Sequence, residues 1–290
     1  MIALVFPGQG TDPPWVAPDV LERPEVQARI ALASEATGVD VQQLLRRGGR
    51  EIARTEVLQP ALVAVCLGVT RMLNVVPAVV AGHSLGELTA WAASGAISDG
   101  DAIAVAALRG QLMAAAAVRA PGGMIALRDA IAESIASPAG PGDGLCVAAR
   151  NAPDEVVLSG PLAAIARIER AHSSKRLAVA GAWHSPAMAD AVPELSRALH
   201  SLPRTSGISF VANRDGALVT DPDAIPDLLA QQLVRPIEWV ATQRTLARIT
   251  RRWIVVGPGA VVRALARRTV PEVEIELVDS LRDVDRIGAA

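Results

Sequence analysis

The fold of this chain is decided by one nine-residue stretch, Val79-Val80-Ala81-Gly82-His83-Ser84-Leu85-Gly86-Glu87. The apolar residues before Gly82 predict a buried strand, and the residues from Leu85 onward predict a helix. A serine between two such elements, with a glycine on either side, is typical of a tight elbow that presents the serine hydroxyl at the helix N-terminus. We therefore interpret Ser84 as a candidate nucleophile. The alternative is a buried turn with an incidental serine, because Gly-x-Ser-x-Gly also arises by chance.

Length and composition set the protein class. The chain has 290 residues, enough for a large domain that carries a smaller inserted one. A net charge of −2, no Tyr and only two Phe argue against a nucleic-acid partner. Gly, Pro or charged residues interrupt every apolar run before it reaches about 18 residues, so we expect no membrane span. The N-terminus lacks the basic start of a secretory leader, and we expect a cytoplasmic protein.

The two cysteines, Cys66 and Cys146, lie far apart in the sequence and lack the spacing of metal ligands. We therefore expect reduced thiols, with neither a disulfide framework nor a metal site.

A change of composition at Pro121-Gly122-Gly123 divides the chain. Residues 121–182 follow the order strand, helix, strand, strand, helix, strand, with the first helix predicted over 130–136 and the last strand over 177–180. That order favours a small ferredoxin-like α+β subdomain. The rest of the chain predicts a large α/β domain that has a mainly parallel sheet and carries the nucleophile elbow, in two segments, 1–120 and 183–290.

A serine nucleophile needs a general base, and the chain has four histidines: His83, His172, His184 and His200. His83 adjoins Ser84, so its side chain points elsewhere, and His172 and His200 fall at helix ends where histidines are solvated. His184 lies where the inserted unit joins the next helix, and such junctions line clefts. We therefore predict His184 as the base. No histidine follows His200, which disfavours an α/β-hydrolase, whose histidine comes late in the chain.

Arg109 interrupts an apolar helix predicted over residues 102–118. A charge in such a helix needs a partner, because desolvating an unpaired charge is costly. From the residues alone, a structural ion pair or an arginine that reaches out to solvent is favoured over a ligand-binding role.

Together these motifs resemble the malonyl-CoA:acyl carrier protein transacylase family, which includes the acyltransferase domains of polyketide synthases. The resemblance covers essentially the whole chain, and its motifs occur in the family's order. They are Val5-Phe6-Pro7-Gly8-Gln9-Gly10, Gln59-Pro60-Ala61-Leu62, Gly82-His83-Ser84-Leu85-Gly86-Glu87, Leu108-Arg109-Gly110, Pro121-Gly122-Gly123-Met124, Asn151-Ala152-Pro153, Gly181-Ala182-Trp183-His184-Ser185-Pro186, Gln232-Leu233 with Pro236 and Trp239, and Gly257-Pro258-Gly259.

The resemblance implies a catalytic pair, Ser84 and His184, without a carboxylate as third member. It also implies that the backbone carbonyl of Gln232 orients the imidazole and that the backbone N–H groups of Gln9 and Leu85 hold the oxyanion. Such an arrangement is chemically sufficient, because a hydrogen bond to Nδ1 fixes the tautomer and leaves Nε2 to take the serine proton.

The resemblance gives Arg109 a new interpretation, since it matches the arginine that pairs with the free carboxylate of a malonyl-type acyl group. A guanidinium fork suits a carboxylate. Gln59 matches a glutamine near the acyl group. Trp183 stands where malonyl-selective relatives often carry Phe, and is either a core aromatic or a pocket wall. As a wall, its bulk would favour malonyl over methylmalonyl groups.

The reaction that the resemblance implies moves a malonyl group from malonyl-CoA to the phosphopantetheine thiol of an acyl carrier protein. CoA is then a substrate, and no cofactor or metal is needed. Two alternatives share the fold: a proofreading acyl-thioester hydrolase and the malonyl-transferase subunit of a malonate decarboxylase. Arg109 weighs against the hydrolase, whose members tend to lose it, and a non-catalytic docking module is disfavoured by the intact Ser84, His184 and Arg109. The residues leave fatty acid and polyketide synthesis both open.

Overall fold

The computed structural model of the protein describes residues 1–10, 15–128, 135 and 143–288. The strands within these residues are β1 (Ala3–Phe6), β2 (Val79–Gly82), β3 (Gly122–Leu127), β4 (Cys146–Ala152), β5 (Glu155–Pro161), β6 (Ser174–Arg176), β7 (Ser209–Phe210), β8 (Arg252–Val256) and β9 (Glu274–Val278). The helices, numbered among the same residues, are α1 (Pro18–Leu21), α2 (Pro24–Thr37), α3 (Val41–Arg47), α4 (Thr55–Met72), α5 (Gly86–Ala93), α6 (Asp99–Arg119), α7 (Leu162–Ala171), α8 (Val192–Ser201), α9 (Ile225–Gln231), α10 (Trp239–Ile249), α11 (Ala260–Thr269) and α12 (Leu281–Gly288).

The larger sheet has the order β7-β2-β1-β8-β9, and every strand pair in it is parallel. All residues of β1 and β2 are buried, as expected for apolar strands that helices cover on both faces. Phe6 is the register partner of Gly82, so β1 and β2 end side by side. The loop after β1 and the elbow after β2 therefore begin at the same edge of the sheet.

The smaller sheet is antiparallel, with the order β4-β5-β3-β6, which is the strand order of a ferredoxin-like unit. Helix α7 covers it by packing Ile165 and Ile168 against Ile125 and Leu158. The predicted α/β class, a parallel sheet with a small antiparallel one, is confirmed. The domain boundaries at 121 and 182 stay predictions, and the helix predicted over 130–136 falls outside the described residues except at Ile135.

The last strand of the smaller sheet is not where we predicted it. It spans Ser174–Arg176, whereas the apolar run suggested 177–180. The pattern misled because Leu177 and Val179 are apolar for another reason: they line the cleft between the two sheets.

One helix among the described residues, α6, is long and apolar enough to cross a membrane by length and composition. More than half of that apolar window is buried inside the protein, where α6 packs against α4 and α2. This is the environment of a core helix, and its burial explains why its sequence is so rich in alanine.

Candidate active site

The elbow after β2 has the strained geometry that its glycines predict. Ser84 adopts a φ of +51°, in the left-handed region, which costs a non-glycine residue about 1 to 3 kcal/mol. A Cβ on Gly82 would lie 1.9 Å from the Gly86 carbonyl carbon, and a Cβ on Gly86 would lie 2.3 Å from the Phe6 oxygen. Both positions therefore require glycine for the chain to turn so sharply.

A buried asparagine holds this elbow in place. Asn213 accepts a hydrogen bond at Oδ1 from the backbone N–H of Ser84 (2.8 Å) and donates from Nδ2 to the Gly82 carbonyl (2.8 Å). Its own backbone N–H donates to Glu87 Oε1 at 2.6 Å. Both residues are buried, Asn213 completely. We assigned no role to either from the sequence, although a carboxylate in the apolar helix α5 is the same signal that singled out Arg109.

Ser84 and His184 lie within hydrogen-bond distance of each other, although 100 residues separate them. Ser84 Oγ is 2.8 Å from His184 Nε2, and His184 Nδ1 is 2.8 Å from the backbone oxygen of Gln232. A carbonyl only accepts, so Nδ1 carries the proton and the lone pair of Nε2 faces the serine hydroxyl. Burial, with the nearby positive charge of Arg109, lowers the pKa of His184 to about 3. The imidazole is therefore neutral at physiological pH.

Two backbone N–H groups are available near the serine. Leu85 caps the N-terminus of α5, and Gln9 lies in the loop that follows β1. In the described parts of the chain, neither backbone N–H donates a hydrogen bond. Both residues line the same cleft as Ser84, so the two donors that the resemblance implied stand open at this site.

Arg109 reaches the serine from α6 and is 5% exposed. Its Nη1 donates to Gln59 Oε1 at 2.7 Å, and its Nη2 donates to Gln232 Oε1 at 3.0 Å and to Ser84 Oγ at 3.4 Å. Burial lowers the pKa of Arg109 to about 10, so the group is still charged at neutral pH. Among the described residues it forms no ion pair with a carboxylate. The structural ion pair that the residues alone favoured is therefore wrong.

The serine opens into a cleft of about 620 Å³ between the two sheets. Trp183 lines this cleft and is 4% exposed, so it is a pocket wall and a buried aromatic at once. Arg128, Lys175 and Arg268 lie at the same cleft. Glu155 lines it too and pairs with Arg128 and Arg268, so the cleft combines an apolar wall with a charged lining.

His83 lines the same cleft as Ser84, and the Cys146 thiol contacts the backbone oxygen of His184 at 4.0 Å, but neither side chain contacts the Ser84 hydroxyl. His83 donates from Nε2 to Asn151 Oδ1 (2.9 Å) and meets the ring of Trp239 edge-on at 5.2 Å. His200 accompanies its own helix, with Nδ1 2.9 Å from the Ser196 oxygen. Cys66 and Cys146 are both free thiols. In the described ranges, no three His, Cys, Asp or Glu side chains lie close enough to hold a metal ion.

Comparison with known proteins places this geometry among acyltransferases. The model of the acyl transferase domain family matches residues 3–284. The malonyl CoA-acyl carrier protein transacylase of Mycobacterium tuberculosis is 33% identical over 301 residues, covering 99% of each chain. That of Escherichia coli K12 is 32% identical over 285 residues, covering 92% of each.

Solved structures agree with the sequence matches. The malonyl-CoA:acyl carrier protein transacylase from Xanthomonas oryzae superposes with a TM-score of 0.90 at 33% identity, covering 98% of this chain and 96% of that one. A malonyl-transacylase in complex with a type II PKS acyl carrier protein gives a TM-score of 0.91 at 27% identity, covering 99% of each chain.

Proposed function

This chain belongs to the malonyl-CoA:acyl carrier protein transacylase family, and we propose that it moves a malonyl group from CoA to the phosphopantetheine thiol of an acyl carrier protein through an ester on Ser84. Its relatives carry the name of this reaction. The observation that carries the proposal is the contact of one oxygen, Ser84 Oγ, with both His184 Nε2 (2.8 Å) and Arg109 Nη2 (3.4 Å). The nucleophile thus lies beside both a neutral base and a cation suited to a carboxylate.

In the first step, Ser84 Oγ attacks the thioester carbonyl of malonyl-CoA. His184 Nε2 takes the hydroxyl proton as the oxygen–carbon bond forms, and the imidazolium is stabilised at Nδ1–H by the Gln232 carbonyl. The tetrahedral intermediate collapses, the carbon–sulfur bond breaks, and the proton passes from His184 to the departing CoA sulfur. The products are malonyl-Ser84 and CoA, and such acid–base assistance contributes about 10²- to 10⁴-fold.

The second step reverses the first with a different thiol. The phosphopantetheine thiol of the carrier protein gives its proton to His184 and attacks the ester carbonyl. The carbon–oxygen bond to Ser84 breaks, and His184 returns the proton to Oγ. The enzyme is regenerated, and the malonyl group is carried as a new thioester.

The backbone N–H groups of Leu85 and Gln9 would stabilise the oxyanion in both steps. Leu85 stands at the N-terminus of α5, where the helix dipole and the unpaired N–H groups favour negative charge. In other enzymes, one preorganised donor of this kind contributes about 10²- to 10³-fold in rate.

Arg109 would bind the free carboxylate of the malonyl group. In a buried site, a guanidinium fork holds a carboxylate through two charge-assisted hydrogen bonds, and Gln59 steadies the fork from the other side. The proposed reaction uses side chains and backbone of this chain alone, with no cofactor. A cytoplasmic location stays a prediction, and fatty acid and polyketide synthesis both stay open as the pathway.

Intact-mass measurement after incubation with malonyl-CoA tests the proposal. We expect a malonyl adduct on Ser84, absent in Ser84→Ala, that disappears when a holo acyl carrier protein is added and reappears on that protein. An adduct that water removes as fast as the carrier does would favour the hydrolase. No adduct on folded wild-type protein would overturn the proposal.

A further inference from the structure

The side chain of Gln232 contacts Arg109, Glu87 and the Ser84 backbone at once. Its Nε2 donates to the Ser84 carbonyl at 3.0 Å and to Glu87 Oε2, and its Oε1 accepts from Arg109 Nη2 at 3.0 Å. Its backbone oxygen accepts from His184. The family resemblance concerned only that backbone oxygen, so the side-chain contacts have no role in the mechanism above.

The Ser84 carbonyl, with the Glu87 carboxyl beside it, decides which end of this amide faces Arg109. An amide has a donor end and an acceptor end. The Ser84 carbonyl can only accept and the Arg109 guanidinium can only donate, so the donor end faces Ser84 and the acceptor end faces Arg109. Burial raises the pKa of Glu87 to about 8, so its carboxyl is mostly neutral at physiological pH and supports this orientation as a second acceptor. Glu87 is itself fixed, since its other oxygen accepts from the backbone N–H of Asn213. The orientation of the amide is therefore imposed by the elbow carbonyl and by Arg109, with Glu87 of α5 in support.

Two neutral oxygens then orient the guanidinium without cancelling its charge. Gln59 Oε1 takes an N–H from Nη1, and Gln232 Oε1 takes one from Nη2. Each terminal nitrogen carries two N–H groups. The second N–H of Nη1 remains open, and that of Nη2 makes only the longer contact with Ser84 Oγ at 3.4 Å, which shows that this end faces the nucleophile. The guanidinium is thus held ready for a carboxylate that arrives on an acyl group at Ser84.

We propose that the Gln232 side chain, oriented by the Ser84 carbonyl and supported by Glu87, is a positioning residue that prepares Arg109 for the substrate carboxylate and so makes the site prefer malonyl over uncarboxylated acyl groups. This rests on the proposed function. A fixed fork binds without an ordering cost, whereas a guanidinium free to rotate must first be ordered or can turn toward Glu87. The preference for malonyl groups should therefore depend on the Gln232 amide, although that amide need not contact the substrate.

Single-turnover acylation of Ser84 by malonyl-CoA and by acetyl-CoA tests this in Gln232→Leu. The substitution keeps the backbone oxygen that serves His184 and removes only the amide. We expect the malonyl-to-acetyl ratio of kcat/KM to fall about tenfold, mainly through the KM for malonyl-CoA. Gln231→Leu is the matched control, because Gln231 is the exposed neighbour on the same helix end, and it should keep the wild-type ratio.

Two further variants separate positioning from folding. Gln232→Glu keeps an oxygen for Arg109 but pairs it with a carboxylate that competes with the substrate, so the ratio should fall more than in Gln232→Leu. In Glu87→Gln the new amide oxygen must accept from Asn213, so its N–H groups face the N–H groups of Gln232 and one of the two acceptors for that amide is lost. The ratio should therefore fall there too, even where Gln232→Leu does not fold. An equal loss for both substrates, or an unchanged ratio, would overturn the proposal. If wild-type protein forms no malonyl-Ser84, the proposed function fails instead.

Discussion

Two of the arginines that line the cleft, Arg109 and Arg268, have opposite surroundings. Arg109 is buried, and its hydrogen bonds go to amide and hydroxyl oxygens. Arg268, with a side chain 23% exposed, forms ion pairs with Asp154 and with Glu155 at 2.8 Å. An arginine whose carboxylates come from the chain itself has its charge already matched. A buried arginine with neutral partners keeps its charge for a ligand, and this difference supports the proposal that Arg109 binds the acyl carboxylate.

The largest expected effect follows from removing the buried member of this pair. In Arg109→Ala, a malonyl carboxylate would be desolvated without its partner, so we expect kcat/KM for malonyl-CoA to fall about a hundredfold or more. Acetyl-CoA carries no such carboxylate and should lose far less. Steady-state kinetics with both thioesters measures the effect. Arg109→Lys keeps the charge without the fork, so its kcat/KM for malonyl-CoA should lie between those of the wild type and Arg109→Ala. Equal losses for both substrates would instead make the role of Arg109 structural.

The buried charge of Arg109 also predicts how the rate of Ser84 acylation depends on pH. His184 acts as base only when neutral, and burial with the Arg109 charge lowers its pKa to about 3. The neutral fraction therefore stays near one as the pH falls from 8 to 5, whereas an ordinary histidine with a pKa of about 6.5 would lose about tenfold in neutral fraction by pH 5.5. Single-turnover acylation across pH 5 to 8 checks this. A tenfold drop in rate centred near pH 6.5 would contradict the neutral, buried base.

Trp183 and Arg109 would select the substrate in different ways. The bulk of Trp183 would exclude a branched acyl group, whereas the charge of Arg109 would attract a carboxylate. Because Trp183 lines the cleft and is almost fully buried, an α-methyl branch should be accommodated poorly. We expect malonyl-CoA to be preferred over methylmalonyl-CoA by about tenfold, the discrimination that one methyl group supports in an apolar pocket. Competition between the two thioesters measures the preference, and Trp183→Ala should reduce it. Equal use of both by wild-type protein would place the acyl group away from Trp183.

Sequence reasoning could reach the elbow and the base because both have local signals. The glycines on either side of Ser84 indicate a sharp turn, and His184 is the histidine at the junction between the inserted unit and the next helix. The contacts of Arg109 could not be predicted this way, since Gln59 and Gln232 are 50 and 123 residues distant in the chain and meet it only through packing. The sequence around a glutamine contains no pattern that identifies the hydrogen-bond partners of its side-chain amide.

The misplaced strand has a related cause. We took apolar character as a sign of sheet, but Leu177 and Val179 are apolar because they line the cleft. The true strand, Ser174–Arg176, is polar because it is an edge strand with only β3 beside it. Asn213 and Glu87 were missed because their function is to hold backbone, and such buried polar residues become recognisable only when their partners are seen.

The smallest effect is expected at the other arginine. Arg268→Ala removes two partly exposed ion pairs, which are worth about 1 kcal/mol or less each. Glu155 keeps Arg128 at 3.5 Å, so its carboxylate is not left alone. We therefore expect a melting temperature lower by a few degrees, a difference that shrinks in 1 M salt because exposed pairs are screened, and an unchanged malonyl-to-acetyl ratio. A fall in that ratio to the level of Arg109→Ala would mean that pairing within the chain does not decide which arginine recognises the substrate.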